Sequence, residues 1–192
     1  MEQRFQAIRS LGEIWCSEHD SGLVDPRKRF RMGYGGFVRH PGSSFGRRRK
    51  RGQKTQALGR SKGGFSTKIH LAVDSFGNPV RVELTGGEVH DSQRAKALIE
   101  GIPAEYVLAD KGYDSNEFRQ AIVEQGAEPV IPPRSNRKTP IGYDRNLYKE
   151  RNLIERAFNK LKHYRKIATR YDKKAANFMG FIVLGSIMIH LR

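Results

Sequence analysis

The chain has 192 residues, a net charge of +16 and one cysteine, Cys16. That length suits one domain with a core plus a tail; the charge favours a polyanionic partner, DNA or RNA, over the plainer reading of a solvated surface; and a lone cysteine excludes an internal disulfide or a cysteine-based zinc site. Met1–Leu11 lacks the apolar centre of a secretory leader, and the longest apolar run, Phe178–Leu191, is too short to span a bilayer, so the sequence reads as cytoplasmic and nucleoid-associated.

Residues 1–62 read as a basic, poorly ordered segment. Apolar residues there are sparse and without a sustained period, and Arg47–Arg51 is an unbroken run of cations that repel one another. Only Arg4–Trp15 has the pattern of a short amphipathic helix.

Order is expected from Gly63 to the end, residues 63–192. Phe65–Val73 alternates as a strand, the Ser-Phe-Gly-Asn turn follows, and a second strand carries Val80, Val82 and Leu84 on one face. A helix follows Asp91, its expected N-cap, with Ala95, Leu98 and Ile99 inward and Gly101 after its end. A short apolar strand runs to Asp110. The next helix puts Phe118, Ile122 and Val123 inward, and a strand stopped by Pro132 and Pro133 comes after it. A basic loop leads to one long helix over Arg145–Lys162 and a last helix over Lys174–Leu191. This order predicts an α/β fold with a mixed sheet: an antiparallel hairpin, then parallel strands joined through helices.

Two acids stand out. Asp110 lies at the carboxyl end of a strand, where α/β sheets gather ligands; the plainer reading is that it ends a strand and that Asp114 caps the next helix. Glu155 sits beside the apolar stripe of Ile154, Phe158 and Leu161, with Tyr148, Arg151 and Lys162 on or near its face of the helix. Alone it reads equally as a surface acid paired with Arg151. Together the two carboxylates suit Mg²⁺, which takes oxygen ligands and activates a hydroxyl for attack on a phosphodiester. His70, within a strand, reads as packing or facing DNA, and His90 as a cap or a contact behind the site. Arg134, Arg137 and Lys138 make a loop that is either a phosphate contact or simply solvated. Lys160, Lys162, Arg165, Lys166 and Arg170 form a cationic helix end with more charge than the helix dipole requires.

From about Leu58 onward the chain resembles the bacterial insertion-sequence DDE transposases of the IS-five type. The resemblance rests on "GRSKGGFSTKIHLAVDSFGNPVRVELTGGEVHD", "VLADKGYDS", "PVIPPRSNRK" and the spacing of Tyr148, Arg151, Glu155 and Lys162. It implies a ribonuclease-H-like (retroviral-integrase-like) mixed sheet flanked by helices, and metal-dependent DNA cleavage and strand transfer. It implies a triad of acids holding Mg²⁺ or Mn²⁺, with Asp110 as the second and Glu155 as the third. Tyr148, Arg151 and Lys162 would serve the DNA face. The partners implied are insertion-sequence ends and target DNA, with a homodimer as the form in which paired ends are usually handled. The alternative is a non-catalytic DNA-binding fragment.

The family's first acid lies on a first strand ending in Asp-Ser-Thr or Asp-Ser-Ser, and no such segment occurs here. Asp74 falls in the hairpin turn, and Asp20 and Asp25 have no suitable strand. The first strand is therefore expected to be missing. Back-translated and shifted by one nucleotide, "RFRMGYGGFVRHPGSSF" can spell "DFEWDTVDSSGIQAAAS", and "QRFQAIRSLGEIWC" can spell "KRFARWAKSGV", both resembling the family text. On that reading residues 1 to about 47 are translated out of frame.

Overall fold

The computed structural model describes residues 29–39 as backbone, together with residues 54–61 and 64–191. The expected helix over Arg4–Trp15 lies outside the described residues. Six strands form one mixed sheet: β1 (Arg29–Arg39), β2 (Gly59–Ser61), β3 (Gly64–Val73), β4 (Pro79–Gly86), β5 (Tyr106–Leu108) and β6 (Glu128–Val130). β3 pairs antiparallel with β1 along one edge and with β4 and β2 along the other. β1 also pairs parallel with β5, and β5 with β6.

The expectation of a missing first strand is corrected here. β1 stands between β3 and β5, with Arg31 opposite Val73, Arg39 opposite Ser66, and Arg29 and Arg31 opposite Tyr106 and Leu108. Phe30, Met32 and Tyr34 alternate in sequence with Arg29, Arg31 and Gly33, a period that suits a strand. The pairing slips between Tyr34 and Phe37, at Gly35 and Gly36, where a bulge asks least of the backbone. The neighbouring edge of β3 is thus covered by backbone pairing, although β1 contains no acidic residue.

Residues 54–61, assigned from sequence to the poorly ordered segment, are tied into the domain. Ala57 adopts φ 48° and offers its carbonyl to the Thr67 hydroxyl at 2.7 Å. The Gln56 amide oxygen accepts from the Ala175 amide at 2.9 Å. Arg170, fully buried, donates to the Thr67 hydroxyl at 2.7 Å and to the Asp172 carbonyl at 3.0 Å, and its guanidinium lies 5.2 Å from the Phe178 ring centre. Burial of this cation pulls its pKa down to about 10, and nearby Asp172 opposes that.

Helices α1 (Ser92–Ile99) and α2 (Asn116–Glu124) pack on one face of the sheet. The other face carries α4 (Asn152–Lys162), α5 (Arg165–Ala168) and α6 (Ala175–His190), and α3 (Arg145–Lys149) precedes them. The alternation of β3 sorts the two cores. Ile69, Leu71 and Val73 meet Ile154, Ala157, Phe158, Leu161, Phe178 and Ile182. Ala72 meets Leu98, Ile99, Tyr113, Phe118 and Ile122.

Four details differ from the sequence expectation. Val80 joins the α1/α2 core rather than the side of Val82 and Leu84, because the β3–β4 register slips beside it. Val123 is exposed and Arg119 takes the buried position in α2. The long helix is broken between α3 and α4: Glu150 and Arg151 amides donate to the carbonyls three residues back, tightening the turn. Finally, Asp91 adopts helical dihedrals and makes no side-chain cap. Its carboxylate is drawn away by the Lys68 ammonium at 2.9 Å, and the His90 ring bonds the Ser92 hydroxyl instead at 2.8 Å.

Candidate active site

Asp110 follows β5 by two residues. Val107 and Ala109 point into the α1/α2 core, so the pleat sends Leu108 and Asp110 to the opposite face, where α4 packs. Asp110 is half-buried, and a 3-10 turn at Lys111–Tyr113 turns the chain immediately beyond it. On α4, Ile154, Ala157, Phe158 and Leu161 go into the core, which leaves Glu155 and Lys162 exposed on the solvent side seven residues apart.

The break before α4 keeps Tyr148 and Arg151 within reach of this face. The Arg151 guanidinium donates to Glu155 Oε1 at 2.7 Å and lies 5.6 Å from the Tyr148 ring centre. The Tyr143 and Tyr148 rings meet edge to face at 5.5 Å. The Tyr148 hydroxyl is held above its ordinary pKa, first by burial, with Arg151 opposing and the Asp110 charge adding to the rise. Tyr148 thus touches Arg151, which holds Glu155.

The remaining candidate cations divide. Lys160 lines a cavity with His163, Tyr164 and Ile189, so it faces α6. Lys166 sits 4.2 Å above the Phe181 ring. Arg165 and Lys162 are exposed. Arg134 turns inward, donating to the Gly112 carbonyl at 2.6 Å and the Lys111 carbonyl at 3.2 Å. Arg137 also turns inward, to Asp114 Oδ1 at 2.7 Å and to Asn116. Lys138 is exposed.

Two arrangements were not read from sequence, and a third resolves an alternative left open there. Asp114 does not cap α2; Ser115 does, accepting from the Phe118 amide at 3.2 Å. Asp114 is buried instead and gathers Arg119, Arg137 and the Arg134 amide. Burial alone would raise its pKa, but these donors outweigh it and hold the carboxyl below its ordinary value. His70 is fully buried between the Thr85 hydroxyl at 2.8 Å and the Tyr113 hydroxyl at 3.4 Å, the packing alternative of its two readings. Lys68, on the same face of β3, holds Asp91. An alternating strand with Lys68 and His70 between apolar neighbours was the available signal for a buried polar row.

Asp110 and Glu155 offer oxygen donors of the type a divalent cation takes. Among the described residues, no group of three or more His, Cys, Asp or Glu side chains is placed to hold a metal ion. One oxygen of Glu155 is moreover taken by Arg151. The donor set as it stands does not fit a complete metal site.

The sequence profile of the transposase DDE domain matches residues 35–190. The chain belongs to that family. The match covers the helix faces and strand ends just described, and membership puts the chain among enzymes of DNA transposition. The chain is 40% identical over 129 residues to a putative transposase for insertion sequence element IS6501 from Brucella ovis, covering 66% of this chain and 99% of that protein. It is 33% identical over 135 residues to a putative transposase for IS402 from Burkholderia cepacia, covering 64% of this chain and 62% of that one. The transposase for IS1106 from Neisseria meningitidis is 32% identical over 131 residues, with 43% of its length spanned. Among the described residues no helix is long and apolar enough to cross a membrane.

Proposed function

We propose that this chain is an insertion-sequence transposase that binds the ends of its element and target DNA, with Asp110 and Glu155 as the second and third carboxylates of the catalytic face. The observation that carries the reading is the Tyr148–Arg151–Glu155 cluster on the sheet face to which the pleat of β5 also sends Asp110. Arg151 and Lys162 flank the acid as cations for phosphate. The sheet order, an antiparallel set of strands joined through β1 to two parallel ones, supports a ribonuclease-H-like arrangement. The family's divalent cation, Mg²⁺ or Mn²⁺, would supply phosphodiester activation, with Asp110 and Glu155 among its ligands. The compartment is the cytoplasm beside the nucleoid, and the acting form is a homodimer on paired ends.

The first carboxylate is absent, so the chain binds DNA but cleaves it little or not at all. β1 carries no acid. The shifted reading of the same text begins at Arg29 and places its Asp-Ser-Ser at positions 36–38, inside β1 where its pairing slips. Residues 1 to about 47 on this reading are an out-of-frame translation, and sequencing the encoding DNA tests it. The decisive assay compares this chain with one carrying the shifted-frame translation of that segment, on duplexes bearing the element's ends with Mg²⁺. The restored chain cleaves, its Asp110→Asn variant does not, and the present chain binds without cleaving. Robust cleavage by the present chain, abolished by Asp110→Asn, would refute the impairment. A restored chain that binds no DNA would remove the transposase reading.

The second reading, a DNA-binding fragment that competes with a full-length enzyme, draws on the same incomplete donor set. It predicts inhibition of an intact transposase on the same ends by the present chain.

A further inference from the structure

The basic loop at 134–138 looks in sequence like a row of interchangeable phosphate contacts. The fold treats its cations unequally. Asp114 is buried and accepts from Arg119 Nε at 2.8 Å, Arg137 Nη1 at 2.7 Å and the Arg134 backbone amide at 2.9 Å. Arg119 spends a second donor on the Ile131 carbonyl at 2.7 Å, at the end of β6. Arg134 reaches back to the carbonyls of Lys111 and Gly112, in the turn that follows Asp110. Arg137 closes the circuit with Asn116 at the start of α2 and the Thr139 carbonyl at 3.1 Å.

Five segments are therefore tied together around one carboxylate, directly or through its arginines: the turn after β5, the start of α2, the middle of α2, the end of β6 and the basic loop. Charge-assisted hydrogen bonds of this kind are among the strongest available, and a buried carboxylate with such partners leaves them little freedom. Arg119 and Arg137 have side-chain exposures of 8% and 17%, and Asp114 only 1%. Lys138 is exposed at the mouth of a shallow cleft it shares with Asn116, Arg137 and Thr139.

We propose that Asp114 is a positioning residue for DNA engagement: it commits the Arg137 side chain and the Arg134 backbone to the protein, fixes the loop against the Asp110 turn, and leaves Lys138 as the loop's phosphate contact. This rests on the DNA-binding reading above and refines it. The loop then has a fixed distance to Asp110, and a phosphate held at Lys138 is held in register with the carboxylate face. The division also limits the electrostatic footprint: the Arg137 charge is offset by Asp114, the Arg134 guanidinium is tied to the Lys111 and Gly112 carbonyls, and Lys138 is the most exposed cation of the loop.

The test is the salt dependence of binding to a labelled duplex, measured by fluorescence anisotropy on the full chain. Removing one cation from a phosphate changes the slope of log K against log salt by about 0.9. Lys138→Gln should flatten the slope by about that amount, and Arg137→Gln should leave it unchanged. Asp114→Asn should release Arg137 and steepen the slope by up to about 0.9, read on a folded variant. Circular dichroism at the working temperature reports whether Asp114→Asn is folded. If it is not, the Lys138 and Arg137 pair still decides. A slope that falls in Arg137→Gln as much as in Lys138→Gln, or one that Lys138→Gln leaves unmoved, overturns the proposal while leaving DNA binding intact. A wild-type chain with no affinity for the duplex removes the underlying reading as well.

Discussion

Lys68 on β3 closes an ion pair with Asp91 at 2.9 Å, and the same ammonium donates to the Val89 carbonyl at 2.7 Å. Both side chains are largely withdrawn from water, at 10% and 15% exposure. The pair joins the centre of the sheet to the entry of α1, and it explains why Asp91 gives up the capping role that its position in sequence offers.

Breaking this pair from one side strands a charge. Lys68→Ala is expected to destabilise the fold by about 3 kcal/mol, while Lys68→Met combined with Asp91→Leu recovers most of that stability. Urea unfolding of the single and double variants measures both. Equal destabilisation in the two would show that the pair's charges contribute little.

His70 makes stability depend on pH. Its folded pKa is lowered from 6.5 to about 4, first by burial, with Asp91 opposing and Lys68 and Arg94 adding to the fall. A base whose folded value is depressed takes up its proton in the unfolded chain first. Its contribution is therefore fully present above pH 6.5 and is lost as pH falls from there towards 4, by up to about 3 kcal/mol. His70→Gln should remove this component of the acid sensitivity. Denaturant midpoints at stepped pH check it, and an unchanged profile in the variant would assign the sensitivity elsewhere.

The Arg151–Glu155 pair is a poor place to look for stability. It is an exposed pair at four residues' spacing, worth a few tenths of a kcal/mol. Arg151→Ala should leave the melting temperature within a degree or two and weaken DNA binding several-fold. Glu155→Gln should leave DNA affinity at least as high as in the wild type, because it removes a negative charge from a phosphate-facing surface. Weaker binding in Glu155→Gln would mean that the acid organises the cations rather than opposing DNA.

Gly185 lets α6 approach α4 and α5 closely. A Cβ there would stand 2.9 Å from Ile167 Cδ1 and 3.3 Å from both Leu161 Cδ2 and Tyr164 Cδ2. Gly185→Ala should therefore cost about 1–3 kcal/mol by overpacking, despite alanine's better helix propensity. Thermal unfolding reads the sign directly, and a stabilised variant would show that the helices can separate.

The periodic elements were legible in the sequence. Gly64–Val73, Pro79–Gly86, Ser92–Ile99 and Asn116–Glu124 fall where alternation, turn residues and helical spacing placed them. Asp110 and Glu155 could be named, and the Tyr148–Arg151–Glu155 spacing survives a helix break that periodicity did not reveal. What escaped was decided by partners distant in sequence. Asp114 and Asp91 both precede helices and look like caps, but Arg137 and Lys68, each about 23 residues away, claim them. Arg134 and Arg137 look like free cations because their acceptors are backbone carbonyls and a buried acid, which composition cannot display. β1 was missed for another reason: its glycines and arginines mask an alternation that is otherwise sufficient for a strand.

The position of β1 bears on how the protein folds. Among the described residues of the sheet, the antiparallel strands β3 and β4 and the parallel strands β5 and β6 meet only through it. The hairpin can form from local contacts, and so can each helix, but the two halves of the sheet cannot join until a segment from far upstream threads between them. Such long-range closure is entropically slow. β1 is then the strand on which cooperativity turns, and its amides should gain protection last during refolding, however early the hairpin forms.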